Sequence, residues 1–417
     1  MRKGLLALLL SAPVLASAGW NHTGTVNLRM DAREAGESAL LGRAAVEASG
    51  ELSERLSLQM EVEGNGETSV EGASAELRTL LLDWQVHDAV HLFAGWQQQV
   101  WGRADEVNPL DFAFAEDTRW YYLEPRAQRK LARLSAGTRI EWGDSSLALF
   151  YFPESSRNHL ADADSIWCEG TCDFADPDFQ RDQFAALGFA VNTSKASAPR
   201  HEWAGRYTSR LGGLDFGAAV YYGTDHRQRV ERTFVAPGVV ELETKEYQSL
   251  SYGVDAAYAL GDVVARAELA RYQDVKLYID SELPRYLADA DGLTETDATA
   301  AILSLDYTAP GDIYLNLQYQ DVWLGEPEDE VILPRELNLA TFQIAKTFYD
   351  PDVKIEWTTL YDIGKEGGFS KLEARWQMDM QWMLSVGCLA FDGEDSAEDY
   401  GAFRKNNSVY LATQYQF

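Results

Sequence analysis

The segment Ala132–Glu141 reads A-R-L-S-A-G-T-R-I-E, so apolar and polar side chains alternate along it. The same period of two recurs in Leu56–Glu63 (L-S-L-Q-M-E-V-E), Ile313–Gln320 (I-Y-L-N-L-Q-Y-Q) and Lys371–Met378 (K-L-E-A-R-W-Q-M). Successive side chains of a β-strand point to opposite faces of a sheet, so this period predicts strands with one apolar and one polar face. The chain of 417 residues is therefore predicted to be an all-β protein.

The length of the alternating segments separates two kinds of β-protein. A water-soluble antiparallel sandwich also alternates, but its strands usually have about five or six residues. Segments of about ten residues match strands that cross a bilayer at a tilt. Tyr and Trp also recur near the segment ends, as in the aromatic girdles of membrane barrels. We predict one transmembrane antiparallel β-barrel.

The number of strands follows from the turn signals. Gly, Pro and Asp cluster at Gly143–Ser145, Leu211–Gly213, Gly261–Asp262, Ala309–Gly311 and Asp350–Asp352, which predicts tight turns there. Membrane barrels alternate short periplasmic turns with longer external loops. With both termini in the periplasm, this parity predicts about 18 strands, with 16 as the alternative. The larger count requires the apolar patch at 184–191 to lie in an external loop.

The N-terminus predicts an export signal. Arg2 and Lys3 are basic, Leu5–Leu15 is apolar, and Ala16–Ala18 provides small residues for cleavage. The apolar core is too short to span a membrane as a helix. We predict a signal peptide over residues 1–18, a single barrel domain over 19–417, and a location in the outer membrane of a Gram-negative cell.

The last strand carries a sharper signal. In Asn407–Phe417 (N-S-V-Y-L-A-T-Q-Y-Q-F), Val409, Leu411, Tyr415 and Phe417 share one face. A C-terminal Phe with an aromatic residue two positions before it resembles the insertion signal of Gram-negative outer-membrane barrels. The resemblance implies that the barrel-assembly machinery is a partner during insertion, and outer-membrane lipid and lipopolysaccharide are the partners expected afterwards.

The predicted loop after the fifth strand has the most distinctive sequence. It reads G-W-Q-Q-Q-V-W-G-R-A-D over Gly95–Asp105 and N-P-L-D over Asn108–Asp111. Together with Glu202–Tyr222 (E-W-A-G-R-Y-T-S-R-L-G-G-L-D-F-G-A-A-V-Y-Y), it resembles a family of uncharacterised proteobacterial outer-membrane barrels, porin-like and akin to alginate-type exporters. Trp96 stands where that family usually has Arg. The resemblance implies an envelope barrel and no particular substrate.

In general porins the third external loop folds into the lumen and narrows it, and the resemblance implies the same for this loop. The alternative is a loop that covers the barrel from outside. Asn108-Pro109-Leu110-Asp111 is a turn signal in its own right, because Pro fixes φ and the Asn and Asp side chains bond to nearby backbone. The candidate pore-loop residues are Trp101, Arg103, Asp105, Asn108 and Asp111.

The alternation also predicts which side chains line the lumen, and many of them are charged. Side chains of opposite charge can form ion pairs with one another, or they can form a charged track for a polar or anionic solute. The candidate lumen-lining residues are Arg133, Arg139, Glu141, Arg206, Arg210, Arg266, Glu268, Lys371, Glu373 and Arg375.

The three cysteines are compatible with export. Cys168 and Cys172 lie in a polar segment, where an oxidising compartment allows a small disulfide; free thiols and a metal site with His159 are the alternatives. Cys388 lies in an apolar strand and is predicted to pack there.

Charge and motifs exclude several function classes. The 36 Lys and Arg stand against 66 Asp and Glu, a formal net charge of −30, whereas a nonspecific nucleic-acid binder needs basic groups for the phosphates. Six histidines occur without a G-x-S-x-G or H-E-x-x-H motif. We predict no nucleic-acid partner, no enzymatic activity, no metal and no cofactor.

The predicted function is an outer-membrane channel that passes small polar solutes or an export product. Two alternatives stay open: an outer-membrane transporter of hydrophobic solutes, and a surface-exposed barrel for binding or adhesion. The polar lumen disfavours the first of these.

Overall fold

In the computed structural model the chain forms a closed antiparallel barrel of 18 strands, which confirms the predicted fold class and the larger strand count. The structure describes residues 20–34, 38–67, 73–105, 107–161, 165, 167–168, 176–279, 291–325, 331–332, 337–349, 352–394 and 400–417. The predicted signal peptide, residues 1–18, lies outside the described residues. Within the described part of the chain, no helix has both the length and the apolar character needed to cross a membrane.

The barrel strands follow one another around the barrel in chain order. They are β1 (Trp20–Arg33), β2 (Ser38–Ser53), β3 (Leu56–Glu67), β4 (Ala73–His87), β5 (Val90–Gln97), β6 (Arg133–Trp142), β7 (Ser145–Glu154), β9 (Arg200–Leu211), β10 (Leu214–Ala236), β11 (Val239–Leu260), β12 (Val263–Tyr278), β13 (Leu293–Ala309), β14 (Ile313–Leu324), β15 (Asn338–Tyr349), β16 (Asp352–Asp362), β17 (Gly367–Gln377), β18 (Trp382–Asp392) and β19 (Ser408–Gln416). β1 closes the barrel by pairing with β19, from Thr25 opposite Gln416 to Arg33 opposite Ser408.

One further strand lies outside the barrel. β8 (Ala190–Lys195) pairs in parallel with the outer end of β11, where Ala190 lies opposite Val239. A helix over Pro177–Ala186 precedes it; Asp176 caps this helix by accepting a hydrogen bond from the Asp178 backbone. Phe184 is buried there with Val230, Val240 and Leu242. The apolar patch at 184–191 therefore lies outside the barrel, as the strand count required.

Short connections lie at one end of the barrel and long ones at the other. Gly143, Gly212, Gly261 and Gly311 have φ between 54° and 83°, a region that only glycine enters without steric cost. They form the tight turns after β6, β9, β11 and β13. The end opposite these turns carries the connection 98–132, between β5 and β6, and the connection 155–199, between β7 and β9.

The outer surface of the barrel is apolar. Met30, Leu303, Leu317 and Val386 are each more than half exposed although they lie within strands. Water-soluble proteins do not leave so much apolar surface uncovered, whereas a barrel in a bilayer presents such a band to lipid. Large aromatic side chains are exposed close to the short turns: Trp84, Trp142, Tyr349, Trp376 and Trp382. This distribution is typical of the interfacial aromatic girdle of a membrane barrel.

Candidate functional site

The connection 98–132, here called the inner loop, lies inside the barrel. Its Asp105 carboxylate is 3.2 Å from the guanidinium of Arg266 on β12 and accepts a hydrogen bond of 3.2 Å from Asn316 on β14. On another side of the lumen, the ring of Tyr122 packs against Phe369 of β17 and Phe391 of β18, with centroids 5.1 and 4.9 Å apart. The loop therefore crosses the lumen and bonds to distant strands, rather than covering the barrel from outside.

Arg103 and its neighbours attach the inner loop to β11 and β12. The Glu268 carboxylate accepts hydrogen bonds from the backbone N–H groups of Arg103 and Ala104, the latter at 2.7 Å. The Arg103 guanidinium pairs with Asp255, which also pairs with Arg206 at 2.5 Å. Fixed charges of both signs are thus held where the loop attaches to these strands.

Asp111 lies at the centre of a buried cluster in the inner loop. Its carboxylate is 2.8 Å from the Lys130 ammonium and 3.0 Å from the Arg126 guanidinium, and it accepts a hydrogen bond from the Trp101 backbone. Lys130 also pairs with Glu116 at 2.8 Å. Burial alone would raise the pKa of Glu116, but the charges of Lys130 and Arg126 outweigh it and lower the pKa to about 2. These ion pairs fold the loop back on itself.

The Asn108–Asp111 turn behaves as its sequence predicts. The Asn108 side chain accepts a hydrogen bond from the Leu110 backbone at 3.0 Å, and the Asn108 carbonyl accepts one from Arg126 at 2.9 Å. Gly102 has φ +87°, and a Cβ there would lie 2.1 Å from the Asn108 amide. The Tyr272 hydroxyl donates to the Pro109 carbonyl. Asn108 is therefore a structural residue of the loop and not a group presented to a solute.

Aromatic packing holds the inner loop against β7. Trp101 packs on Phe112 and Phe150, with centroids 6.0 and 5.8 Å apart. Arg133, at the start of β6, pairs with Glu202 and donates to the Ala113 carbonyl at 3.0 Å. The predicted lining residue Arg133 is thus buried with its partner Glu202 in the attachment of the loop.

The remaining predicted lining residues form ion pairs with one another and with their neighbours. Arg139 pairs with Glu141 at 3.0 Å, and Arg210 with Asp215 at 2.6 Å. On the opposite wall, Glu373 pairs with Arg375 at 2.9 Å and with Lys371 at 3.8 Å. The structure therefore shows ion pairs among these charges, and their side chains are partly exposed. The charged track for a solute stays a prediction.

Two cavities adjoin the inner loop. The larger, here called the outer vestibule, has a volume of about 1180 Å³ and lies between the loop and β10–β14, on the side of the long loops. The smaller, about 390 Å³, lies between Arg103 and the short turns at Asp144 and Asp215. The outer vestibule is lined by eight basic and four acidic described residues: Arg119, Arg126, Arg129, Lys130, Arg157, Arg227, Arg229 and Lys276 against Asp111, Glu116, Asp176 and Asp225. In an acidic chain, this lining is locally basic.

The sequence did not identify the residues of the inner loop that hold the loop in its fold. Arg126, Arg129 and Lys130 were not among the candidates, although the basic run R-A-Q-R-K at 126–130 is visible in the sequence. Asp255 and Tyr272 were also missed, because a single charged or aromatic residue on the inward face of a strand gives no sign of the loop that it will contact.

Glu76, Asp117 and His159 come together where the inner loop meets β4 and the next loop, with ligand atoms within 4.8 Å of one another. Arg119 donates to both oxygens of Asp117, at 2.8 and 2.6 Å, and lies 3.4 Å from Glu76. The guanidinium therefore already supplies the positive charge that this group of carboxylates requires.

The cysteines are placed only in part. Cys168 is buried and takes part in a disulfide, whereas Cys388 is free. Cys172 lies outside the described residues, so its pairing with Cys168 stays a prediction.

Comparisons with solved structures find other membrane barrels. A loop L8 deletion mutant of OmpT from Vibrio cholerae is 10% identical, with a TM-score of 0.45, and the match covers 96% of this chain and 100% of that chain. Salmonella typhi OmpF in complex with daunomycin is 10% identical, with a TM-score of 0.45, over 95% of this chain and 97% of that chain. A mutant of the Rh. blastica porin is 8% identical, with a TM-score of 0.42, over 95% of this chain and 100% of that one. Neither a protein-family model nor a curated protein matches the sequence.

Proposed function

We propose that the protein is an outer-membrane channel for small polar solutes. The observation that carries this proposal is the inner loop, which crosses the lumen and leaves a cavity on each side. A barrel of 18 strands is wide enough for an aqueous lumen, whereas about eight strands are filled by their own side chains. A loop held inside such a lumen by ion pairs narrows it and places charges where a solute passes.

Several features support the cellular location and the partners in this proposal. The apolar outer band requires lipid, and the N-terminal signal favours export. Outer-membrane lipid and lipopolysaccharide, the barrel-assembly machinery and a small polar solute are therefore the proposed partners. No enzymatic activity, cofactor or nucleic acid is part of the proposal. The kinship with alginate-type exporters, and with it an export product as the solute, stays a prediction.

Ion conductance in planar bilayers tests the channel. Purified, refolded protein should give discrete current steps in KCl, and deletion of Val107–Phe114 should enlarge them, because that segment fills part of the lumen. A folded barrel without current at any voltage, in the wild type and in the deletion variant, would contradict the proposal.

One observation favours the adhesion alternative. β10 and β11 have 23 and 22 residues, about twice what a bilayer crossing needs, and β8 and the helix at 177–186 pack on their outer ends. This function would be favoured over the channel if the folded barrel gives no conductance but binds cells through the outer ends of β10 and β11. A transporter of hydrophobic solutes gains no support from the charged lumen.

A further inference from the structure

Arg129 differs from the other cations of the inner loop because its charge is not balanced. Its side chain is buried, with 4% of the residue exposed. Among the described residues, no carboxylate lies within ion-pair distance of it. Its guanidinium donates a hydrogen bond to the Tyr121 carbonyl at 3.2 Å and lies over the ring of Tyr121, whose centroid is 4.1 Å from the guanidinium carbon. The buried Nε has no hydrogen-bond partner.

The charge balance of the surrounding cluster makes this arginine the excess cation. Arg126 and Lys130 share the carboxylates of Asp111 and Glu116 at distances of 2.8 to 3.5 Å. Three cations therefore face two carboxylates. Burying a charge without a partner is costly, and an anion beside Arg129 would remove that cost.

Arg129 also lines the outer vestibule. The cavity wall near it includes Tyr121, Tyr122, Phe112 and Leu277, which offer aromatic and aliphatic surface. At about 1180 Å³, the vestibule is larger than the typical site for a small organic molecule, about 300 to 1,000 Å³. A small inorganic ion would use little of this surface.

We propose that the outer vestibule contains a binding subsite for an organic monoanion, with its carboxylate on Arg129 and its apolar body against the aromatic wall. This inference deepens the proposed channel function by naming the class of solute. Guanidinium groups bind carboxylates through charge-assisted hydrogen bonds, and Arg129 lines the vestibule. The excess positive charge of the lining would concentrate such anions at the entrance.

The test uses benzoate as the probe and benzamide as its neutral counterpart. Titration calorimetry on the full-length, detergent-folded barrel should show saturable benzoate binding, with benzamide and inorganic phosphate at least roughly ten-fold weaker. Benzoate added on the loop side of a planar bilayer should reduce the KCl current over the same concentration range.

Variants assign the binding to Arg129. Arg129→Gln should weaken benzoate binding roughly ten-fold, the effect of one charge-assisted contact, and Arg129→Lys should restore part of it. The matched control is Lys276→Gln, which removes a positive charge from the same vestibule but from a side chain paired with Glu295 at 2.9 Å; it should change binding less than two-fold. If Arg129→Gln does not fold, benzoate binding is compared between Arg129→Lys and Lys276→Gln. Weaker binding by Arg129→Lys would assign the subsite to Arg129, and equal binding would overturn it.

The outcomes separate this inference from the channel proposal. The subsite would be overturned if benzamide or phosphate binds as tightly as benzoate. It would also be overturned if the Arg129 and Lys276 variants lose the same amount of benzoate affinity. Current steps without benzoate binding would leave the channel and remove the subsite. Benzoate binding without current would support the subsite and overturn the channel.

Discussion

Two aspartates of the inner loop show how surroundings decide the role of a residue. The Asp105 side chain is 43% exposed and shares Arg266 with Asp306. The Asp111 side chain is fully buried between Lys130 and Arg126. Asp105 is therefore accessible from the lumen, whereas Asp111 holds the loop together. Burial raises the pKa of Asp105, Arg266 opposes this, and Asp306 adds to it, so that the pKa lies above its ordinary value.

Asp105→Asn should shift ion selectivity toward anions. Removing one partly exposed charge from the lumen should lower the permeability ratio of K⁺ to Cl⁻ roughly two-fold, about 0.4 kcal/mol for one screened charge. Reversal potentials in a KCl gradient measure this. The control is Asp88→Asn, because the Asp88 side chain is 86% exposed near a short turn and outside the lumen. Coinciding reversal potentials for Asp105→Asn and wild type would remove Asp105 from the selectivity elements.

Acidification should act on Asp105 before it acts on Glu116. Because its pKa is raised, the Asp105 carboxylate becomes protonated at a higher pH than an ordinary aspartate does. K⁺ selectivity should fall in that pH range, and Asp105→Asn should not show this fall. The pKa of Glu116 is lowered from 4.5 to about 2, so its contribution to stability is complete above pH 4.5 and disappears only as the pH falls through about 2. Reversal potentials and unfolding measured against pH separate the two groups. A selectivity step that persists in Asp105→Asn would contradict this assignment.

At the scale of an element, Lys130 links several of the contacts that hold the inner loop. Lys130 is 1% exposed and bridges Asp111 and Glu116, each at 2.8 Å. Its backbone carbonyl accepts a hydrogen bond of 2.6 Å from Arg78 on β4. One side chain thus closes the loop on itself, and the neighbouring backbone ties it to the barrel.

Lys130→Met should loosen the inner loop without opening the barrel. The buried Asp111 and the partly exposed Glu116 would then share Arg126 alone, a loss of about 3–5 kcal/mol for a broken buried ion pair. We expect a larger and noisier single-channel current and faster proteolysis within residues 98–132. Lys245→Met is the control, since Lys245 pairs with Glu231 and Glu243 in the outer hairpin, away from the lumen. Unchanged current noise and protease resistance in Lys130→Met would argue that the aromatic packing alone holds the loop.

At the scale of the whole molecule, stability depends on closing the first strand on the last. Gly24 and Phe417 exchange backbone hydrogen bonds of 2.8 and 2.9 Å. The Phe417 ring covers Gly24, where a Cβ would lie 2.3 Å from the ring. Tyr415 stacks on Phe417 and packs on Trp382, with centroids 5.9 and 4.7 Å apart. The C-terminal aromatic residues therefore complete the seam between β18, β19 and β1.

Phe417→Ala combined with Tyr415→Ala should lower the amount of folded barrel in the membrane. The double variant removes the two rings of the seam and the aromatic part of the predicted C-terminal insertion signal. Heat-modifiable mobility on gels measures the folded fraction. Tyr349→Ala with Tyr319→Ala serves as the control, because it removes two exposed outward rings from other strands. Equal folded fractions in both double variants would show that the position of the rings does not matter.

The architecture of the barrel could be predicted from the sequence alone. The period of two, the glycine turns and the alternation of short and long connections depend only on residues close together in the chain. They were sufficient for the 18 strands and for the placement of the patch at 184–191 outside the barrel. The parallel pairing of β8 with β11 was not predicted, because Val191 and its partner Val240 are far apart in sequence and β8 has no turn that fixes its register.

The candidate site was decided by tertiary structure. The contact of Arg103 with Glu268 joins residues 165 positions apart, and that of Asp105 with Asn316 joins residues 211 apart. No local pattern encodes such pairs, since they depend on the curvature of the barrel and on the path of the inner loop across it. The sequence determined that Asp105, Asp111 and Arg129 are charged. Only the folded lumen decided that Asp105 is accessible and that Asp111 is buried between two cations. It also decided that Arg129 is buried with no carboxylate of the described residues within ion-pair distance, because burial and pairing are properties of the assembled barrel.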